Sequence, residues 1–254
     1  MDKFYTEEEQ VVRLWDREEV LKVINKHSYY HAYEMRREEL NDLWVRKPQN
    51  RRTASLSYNN GFFVGFEEIA RHYVGYREQQ RYAALAPFCD RDPSLSMTGD
   101  NLGLGAAAMD TSTIPLVYIA EDGYSARYLG YRLSFESTGK PDGTADSYMD
   151  MGLIHADLLK EDGEWKIWHL SLEHDHTITV GQNYAAVPVR QPQEEDPLFV
   201  NLGTPTVSRE VYDPFFGWEN MWYDMPKPYT TFSAEDGYGP EGNLGKPYYE
   251  RDKR

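Results

Sequence analysis

The chain has 254 residues, of which 40% are hydrophobic, enough for one sizeable core with or without an elaborated tail. Its formal net charge of −15 disfavours binding to nucleic acids and to anionic membrane surfaces. The short apolar runs and the polar N-terminal MDKFYTEEEQ predict a cytoplasmic protein with no membrane span and no signal peptide.

The first predicted element is a helix from Asp16 to Val45, because apolar residues recur there at three- and four-residue steps. Asp16 with Glu19 is the predicted N-terminal cap. Partway along, the apolar face becomes polar, at His27, Tyr30, His31 and Glu34. These side chains either reach water at the edge of the buried face or line a pocket, and the pattern leaves both interpretations open.

Next, TASLSYNNGFFVG predicts a hairpin that turns at Asn60-Gly61. Helical spacing resumes from Phe66 to Leu85, and the second helix is expected to end before Pro87. The following stretch, PFCDRDPSLSMTGDNLGLG, is rich in turn residues. A connection of this length is typical of a lid or a site wall.

Four β runs follow Ala106, with turns at Asp122-Gly123 and Asp162-Gly163. Helices followed by a four-stranded meander predict an α+β fold, with helices packed across the concave face of a bent antiparallel sheet. From residue 187 the chain is rich in Pro, Gly and Tyr but still contains PFFGWENMWYDMPKPYTTF. We therefore predict a domain at 1–186 and an extension at 187–254 that wraps this domain or a partner subunit.

Three segments, YYHAYEMRREELNDLW, MDTSTIPLVYIAEDGYSARYLG and LLKEDGEWKIWHL, resemble the NTF2-like superfamily and its SnoaL-like branch, which includes polyketide cyclases and scytalone dehydratase. The resemblance implies a cone around a deep pocket, a homo-oligomer, and in most of the enzymes no cofactor. Some members bind ligands without chemistry. The chain is also similar to a lyase family that removes formaldehyde from lignin-derived diarylpropanes.

The resemblance also implies roles for particular residues. Tyr33-Glu34 matches a pair whose acidic member does acid–base work, and His169 matches a histidine that follows the WKIW motif. After Met109, where such enzymes often have histidine, this chain has Asp110. That departure argues against a direct transfer of the scytalone dehydratase mechanism, although Asp110 can still act as a base.

Strand alternation places Trp165, Ile167 and His169 on one face of the last long strand and Trp168, Leu170 and Leu172 on the other. With the first face toward the helices, His169 lines the pocket as a proton-transfer group. The alternative is a core histidine bonded to a backbone carbonyl. The second face is then apolar and outward, which predicts a dimer.

Other polar groups carry weaker signals. His174 and His176 share a strand face and could bind a metal, but no third ligand is evident, and a solvated strand end is the simpler interpretation. Asp157 either orients His155 or lies with it on the outer face.

Two further classes of site have no support in the sequence. GLG at 103–105 lacks the context of a dinucleotide site, and the single cysteine, Cys89, excludes an internal disulfide.

The sequence as a whole predicts a cofactor-independent lyase, dehydratase or isomerase that acts by acid–base chemistry on a small aromatic or polycyclic substrate. We expect no metal and no cofactor, and a homodimer or higher homo-oligomer. The predicted catalytic residues are Glu34, Asp110, His169 and His31, and the predicted substrate-binding residues are Tyr30, Tyr33, His155 and Trp165. The alternative is a non-catalytic dimeric module that binds a hydrophobic small molecule.

Overall fold

The computed structural model describes residues 5–58, 61–174, 176–181, 204–208, 225–242 and 244. Its helices are α1 (Glu7–Ala32), α2 (Arg36–Leu43), α3 (Pro48–Thr53), α4 (Phe66–Ile69), a π-helical segment (Ala70–Tyr76), α5 (Arg77–Arg91) and 3-10 turns at Gly99–Asn101 and Ala234–Asp236. Its strands are β1 (Ser55–Tyr58), β2 (Gly61–Val64), β3 (Ala106–Ile119), β4 (Ser125–Gly139), β5 (Ala145–Glu161), β6 (Glu164–Leu172), β7 (His176–Thr179) and β8 (Val207–Ser208).

The first helix begins well before the predicted start. Thr6 and Glu9 form a reciprocal capping box at its N-terminus, which satisfies two backbone N–H groups. Asp16 is therefore not a cap. It is buried within α1 and accepts hydrogen bonds from Lys160 Nζ at 2.5 Å and from Trp165 Nε1 at 3.0 Å.

The predicted single helix to Val45 is in fact two helices, α1 and α2, separated by a short break. Within the break Glu34 has a φ of 58°, the left-handed conformation that non-glycine residues rarely adopt. No glycine or proline marks this break in the sequence. The Glu34 carboxylate is held by Arg77, and this ion pair offsets the cost of the backbone conformation.

The second predicted helix continues beyond its expected end. Residues of α4, the π-helical segment and α5 follow one another without interruption, and Pro87 lies inside α5. A proline removes one backbone hydrogen bond and kinks a helix, but the helix can resume after it. The π-helical turn inserts extra backbone and carries the buried His72 and Tyr73.

The sheet runs in the order β3-β4-β5-β6-β1-β2-β8, and β7 pairs with β5. The predicted meander of four long strands is present as β3 to β6, and β1 closes onto β6 in parallel. The predicted hairpin is formed by β1 and β2, but Gly61 pairs with Tyr58 and so belongs to the strand rather than to the turn.

This is the α+β arrangement that the sequence predicts, an open curved sheet with the N-terminal helices packed against it. The core between helices and sheet includes Ile24, Trp44, Leu56, Ile154, Ile167 and Leu170. None of the helices in the described part of the chain is long and apolar enough to cross a membrane.

A β-bulge in β6 contradicts the predicted alternation of that strand. Asp157 of β5 pairs with His169 and the next residue pairs with Ile167, so Trp168 is an extra residue in the ladder. Beyond the bulge the two faces exchange. Leu170 and Leu172 lie in the core with Ile167, not on an outer face as predicted, and His169 points away from the interior.

The C-terminal segment 225–242 packs on the outer face of the sheet. The Phe232 ring lies 4.6 Å from the Trp168 ring, the Tyr238 ring lies 4.9 Å from the His155 ring, and the Tyr238 backbone N–H donates to Asp157 at 2.6 Å. This part of the predicted extension contacts its own chain. The proposed boundary at 186–187 and residues 214–224 of the aromatic stretch lie outside the described residues.

Candidate functional site

The concave interior of the cone holds a buried cluster of ionisable side chains. Asp110 on β3, Arg132 and Glu136 on β4, and Asp150 on β5 belong to adjacent strands and contact each other or the helices. Each is at least nine-tenths buried in its side chain. Burying charge is costly unless partners are supplied, and here every charged side chain has one.

His31, in the last turn of α1, is the histidine at the centre of this cluster. Its Nε2 lies 3.6 Å from a carboxylate oxygen of Asp110, 3.6 Å from one of Glu136, and 3.3 Å from Nη2 of Arg36. Burial and the positive charge of Arg36 lower the pKa of His31 below its ordinary value. The imidazole is therefore neutral near pH 7 and can accept a proton.

Glu34 is fixed as an anion. Arg77 donates to both of its carboxylate oxygens, and Arg36 Nε lies 3.6 Å away. Burial acts to raise the pKa of Glu34, but the hydrogen bonds from Arg77 and the charge of Arg36 outweigh it and lower that pKa to about 2. A carboxylate with so low a pKa orients charges and does not exchange protons near neutrality.

Asp110 is held in a chain of alternating charges. Arg132 donates to Asp110 at 3.0 Å and to Asp150 at 2.8 Å, and Asp150 lies 2.5 Å from Nδ1 of His174. Burial opposes ionisation, yet Arg132 keeps the pKa of Asp110 below its usual range. The side chain of His174 is 7% exposed, so its prediction as a solvated strand end is wrong, while the side chain of His176 lies outside the described residues.

Glu136 belongs to the cluster but is not predicted as a site residue. It accepts from Tyr148 Oη at 2.9 Å and from Arg77 Nη2 at 3.2 Å. Despite burial, its contacts with His31 and Arg77 keep the pKa of Glu136 well below the ordinary value. The signal in the sequence is the period-two run Arg132, Ser134, Glu136, which places polar residues on the face that should be buried.

The structure brings together three of the eight predicted site residues, His31, Glu34 and Asp110. The other five lie elsewhere, and they are His169, Tyr30, Tyr33, His155 and Trp165. Tyr33 is 66% exposed. Tyr30 donates to Asp42 at 3.1 Å on the outside of the cone, and the indole N–H of Trp165 is bound to Asp16.

His169 lies on the outer face under the C-terminal segment. Its Nδ1 is 2.8 Å from Asp157 Oδ2 and its Nε2 is 3.2 Å from the backbone carbonyl oxygen of Thr53. Both ring nitrogens thus face acceptors. This geometry matches the core-histidine alternative and contradicts the prediction that His169 faces the pocket. His155 lies on the same outer face, and Asp157 orients His169.

One set of residues in the described chain has the spacing of a metal site. One ligand atom each from His27, His31 and Asp110 lies within 4.8 Å of the other two, and two imidazoles with a carboxylate are common ligands of divalent transition metals. However, Arg36 is 3.3 Å from His31, and Arg132 is bound to Asp110. Two fixed cations at this distance disfavour a metal ion and favour a neutral or anionic group.

No protein-family model matches the chain, and no curated protein sequence matches it. Several solved structures are similar to it. They include a candidate scytalone dehydratase from Novosphingobium aromaticivorans (12% identity, 68% of this chain and 93% of that chain, TM-score 0.48). A second is a hexachlorocyclohexane dehydrochlorinase from Novosphingobium barchaimii, at 12% identity and a TM-score of 0.44. The match covers 70% of this chain and 99% of the dehydrochlorinase. A third is an NTF2-like protein from N. aromaticivorans, at 16% identity and a TM-score of 0.42. The match covers 75% of this chain and 99% of that protein.

Proposed function

We propose that the chain is a cofactor-independent lyase, dehydratase or isomerase that transfers protons to and from a small aromatic substrate in the interior of the cone. The observation that carries the proposal is the environment of His31. A neutral imidazole with a lowered pKa lies 3.6 Å from each of two ionised carboxylates, Asp110 and Glu136. A substrate hydroxyl that approaches beside His31 Nε2 and one of these carboxylates is within hydrogen-bond reach of a proton acceptor and of fixed charge.

The arginines supply the second requirement of such a reaction, stabilisation of negative charge. Arg36 Nη2 lies 3.3 Å from His31 Nε2, and Arg132 lies beside Asp110. When a proton leaves the substrate, the oxygen or carbon that held it becomes negative. Guanidinium groups fixed by carboxylates beforehand stabilise that charge without reorganising.

The alternative function, a binding module for a hydrophobic molecule, is less well supported. Such a module presents an apolar interior, whereas this interior contains converging charged groups that cost free energy to bury. The cluster is still bordered by aromatic rings. Tyr58 stacks on His174, Tyr73 lies beside His31, and Tyr148 donates to Glu136, which suits an aromatic substrate.

A lignin-derived 1,2-diarylpropane-1,3-diol is the finer substrate proposal, and it rests on the resemblance in the sequence. A base takes the proton of the primary hydroxyl, the adjacent carbon–carbon bond breaks, and formaldehyde leaves. The electron pair of that bond forms a carbon–carbon double bond as the benzylic hydroxyl departs with a proton as water. The reaction needs only proton transfer and charge stabilisation, which the cluster can supply.

The test is a turnover assay with a panel of aromatic diols and hydroxy ketones in EDTA-containing ²H₂O buffer, followed by proton NMR. We expect formaldehyde or alkene to form, or deuterium to enter the substrate, and His31→Gln to lower the rate by about a hundredfold or more. His169→Gln, on the outer face, is the matched control and should retain the rate. Line broadening of a panel compound on binding, without any product, would instead support the binding module.

A further inference from the structure

His27 has a ring nitrogen with no assigned role. The residue lies one helical turn before His31 and is completely buried, and its Nδ1 is 2.9 Å from Glu39 Oε1. Its Nε2 has no hydrogen-bond partner among the residues that the structure describes. Buried polar atoms are nearly always paired, so an unpaired one on a ring beside a charged cluster calls for an explanation.

Glu39 determines which nitrogen of His27 carries the hydrogen. This buried carboxylate also accepts from Tyr73 Oη at 2.8 Å and from Trp44 Nε1 at 3.3 Å. Burial acts to raise the pKa of Glu39, but His27 and the hydrogen bond from Tyr73 hold it below the ordinary value. An ionised Glu39 can only accept, so Nδ1 of His27 is the donor, and in the neutral imidazole Nε2 then carries the lone pair.

The His27 ring lies close to the proposed site. The His27 and His31 rings are 5.9 Å apart between centroids, and one ring nitrogen of each lies within 4.8 Å of a carboxylate oxygen of Asp110. A substrate group between these side chains can therefore contact His27 as well as His31. A carboxylate behind an imidazole also stabilises the imidazolium that forms when the ring accepts a proton.

We infer that His27 rather than His31 is the general base of the proposed reaction, that His31 orients the substrate group, and that Glu39 is the positioning residue of His27; the inference rests on the proposed function. Nε2 takes a proton from a substrate carbon, whose C–H electron pair forms a carbon–carbon double bond, or from a primary hydroxyl, in which case formaldehyde leaves and the pair of the broken carbon–carbon bond forms the double bond. The departing hydroxyl group then receives the same proton from the imidazolium and leaves as water. Proton and electrons balance without any further reactant.

Two properties of Glu39→Gln test the inference on the full chain. The glutamine keeps the size of the side chain and an oxygen that can accept from His27, but it removes the negative charge. We expect kcat to fall about a hundredfold with little change in KM. Because the imidazolium loses its counter-charge, the acidic limb of the kcat profile should move to lower pH, which a purely structural role would not cause.

The chain contains a matched control for this variant. Asp157 and His169 form the same kind of buried carboxylate–imidazole pair on the outer face. Asp157→Asn should lower the melting temperature but leave the acidic limb in place. If both variants behave alike, or if Glu39→Gln leaves the pH profile unchanged while the wild type is active, His27 is not the base and the lyase proposal stands. If the wild type converts no compound of the panel, the lyase proposal and the base role of His27 are both wrong.

A measurement without substrate provides an independent check. Long-range ¹H–¹⁵N NMR of the histidine rings should show His27, assigned by its loss in His27→Gln, with a protonated Nδ1 and a bare Nε2. A proton on Nε2 alone would overturn the inference. So would stoichiometric metal in the purified wild-type protein that is absent from His27→Gln, because Nε2 would then be a ligand.

Discussion

At the scale of single residues, arginines determine which carboxylates of the interior can exchange protons. Glu34, between Arg77 and Arg36, has a pKa of about 2, whereas the neighbouring His31 has a lowered pKa and is neutral. The acidic residue that the resemblance offers for catalysis is therefore a fixed anion. The groups of the site that can exchange protons near neutral pH are therefore the imidazoles of His27 and His31.

The low pKa of Glu34 predicts a pH dependence of stability. Its pKa is depressed from 4.5 to about 2, so its contribution is fully present above pH 4.5 and is lost as the pH falls toward 2. Glu34→Gln should lower the free energy of unfolding by on the order of 3 kcal/mol at pH 7. In urea titrations the difference from wild type should shrink by pH 3. Glu67→Gln, at a largely exposed ion pair, should show little effect at either pH.

His169 illustrates the difference between a buried histidine and a catalytic one. Because Asp157 and the Thr53 carbonyl occupy both ring nitrogens, His169→Ala should lower the free energy of unfolding by about 3 kcal/mol. Turnover at a temperature where the variant is folded should match the wild type. Melting curves and rates are measured on one sample, and a large loss of rate in the fully folded variant would contradict the structural role.

The sequence reveals part of the site and not the rest, for a physical reason. His31 and Glu34 stand out because they interrupt an apolar helical face, and Asp110 stands out through the resemblance. Their partners Arg77 and Arg132 come from a distant helix and strand, and a long arginine side chain on an amphipathic element looks solvated until its acceptor is known. Which carboxylate an arginine contacts depends on how the helices and strands pack together, and a local stretch of sequence does not contain that information.

At the scale of elements, one extra residue in β6 reverses the prediction for half of that strand. The four strands and their turns follow from local sequence, because alternation and Asp-Gly pairs are local signals. The bulge at Trp168 depends on how β6 pairs with β5, which local sequence does not encode. As a result His169 joins the C-terminal segment, and Leu170 and Leu172 join the core.

The close contact between the C-terminal segment and β6 predicts a sensitive glycine. A Cβ at Gly239 would lie 2.6 Å from the His169 ring, closer than real contacts allow. Gly239→Ala should therefore loosen segment 225–242 and speed amide hydrogen exchange there and in β6, with little change in α1. Gly99→Ala, where nothing lies within 4 Å, is the control. Unchanged exchange in the Gly239 variant would show that the segment does not depend on this contact.

At the scale of the whole molecule, an apolar surface lies on the outer side of β3, β4 and β5. Asp110, Arg132 and Asp150 point inward, so the alternating residues point outward, and paired strands align them in rows. The outward residues, here called the outer patch, are Met109, Tyr131, Leu133, Phe135, Met149, Met151 and Leu153. Within it Met109 is 51% and Tyr131 is 50% exposed. The outer patch replaces Trp168, Leu170 and Leu172 as the basis for predicting a homodimer or higher homo-oligomer.

The final prediction is that copies of this chain associate through the outer patch. Tyr131→Glu places a charge among apolar side chains and should shift sedimentation at micromolar concentration toward the monomer. Tyr124→Glu, at an exposed turn outside the patch, adds the same charge and should not. Since each chain carries a net charge of −15, copies repel one another, and added salt should strengthen the wild-type assembly by screening that repulsion. A wild-type monomer at both low and high salt would contradict the prediction, because no association would then exist for the charge to disrupt.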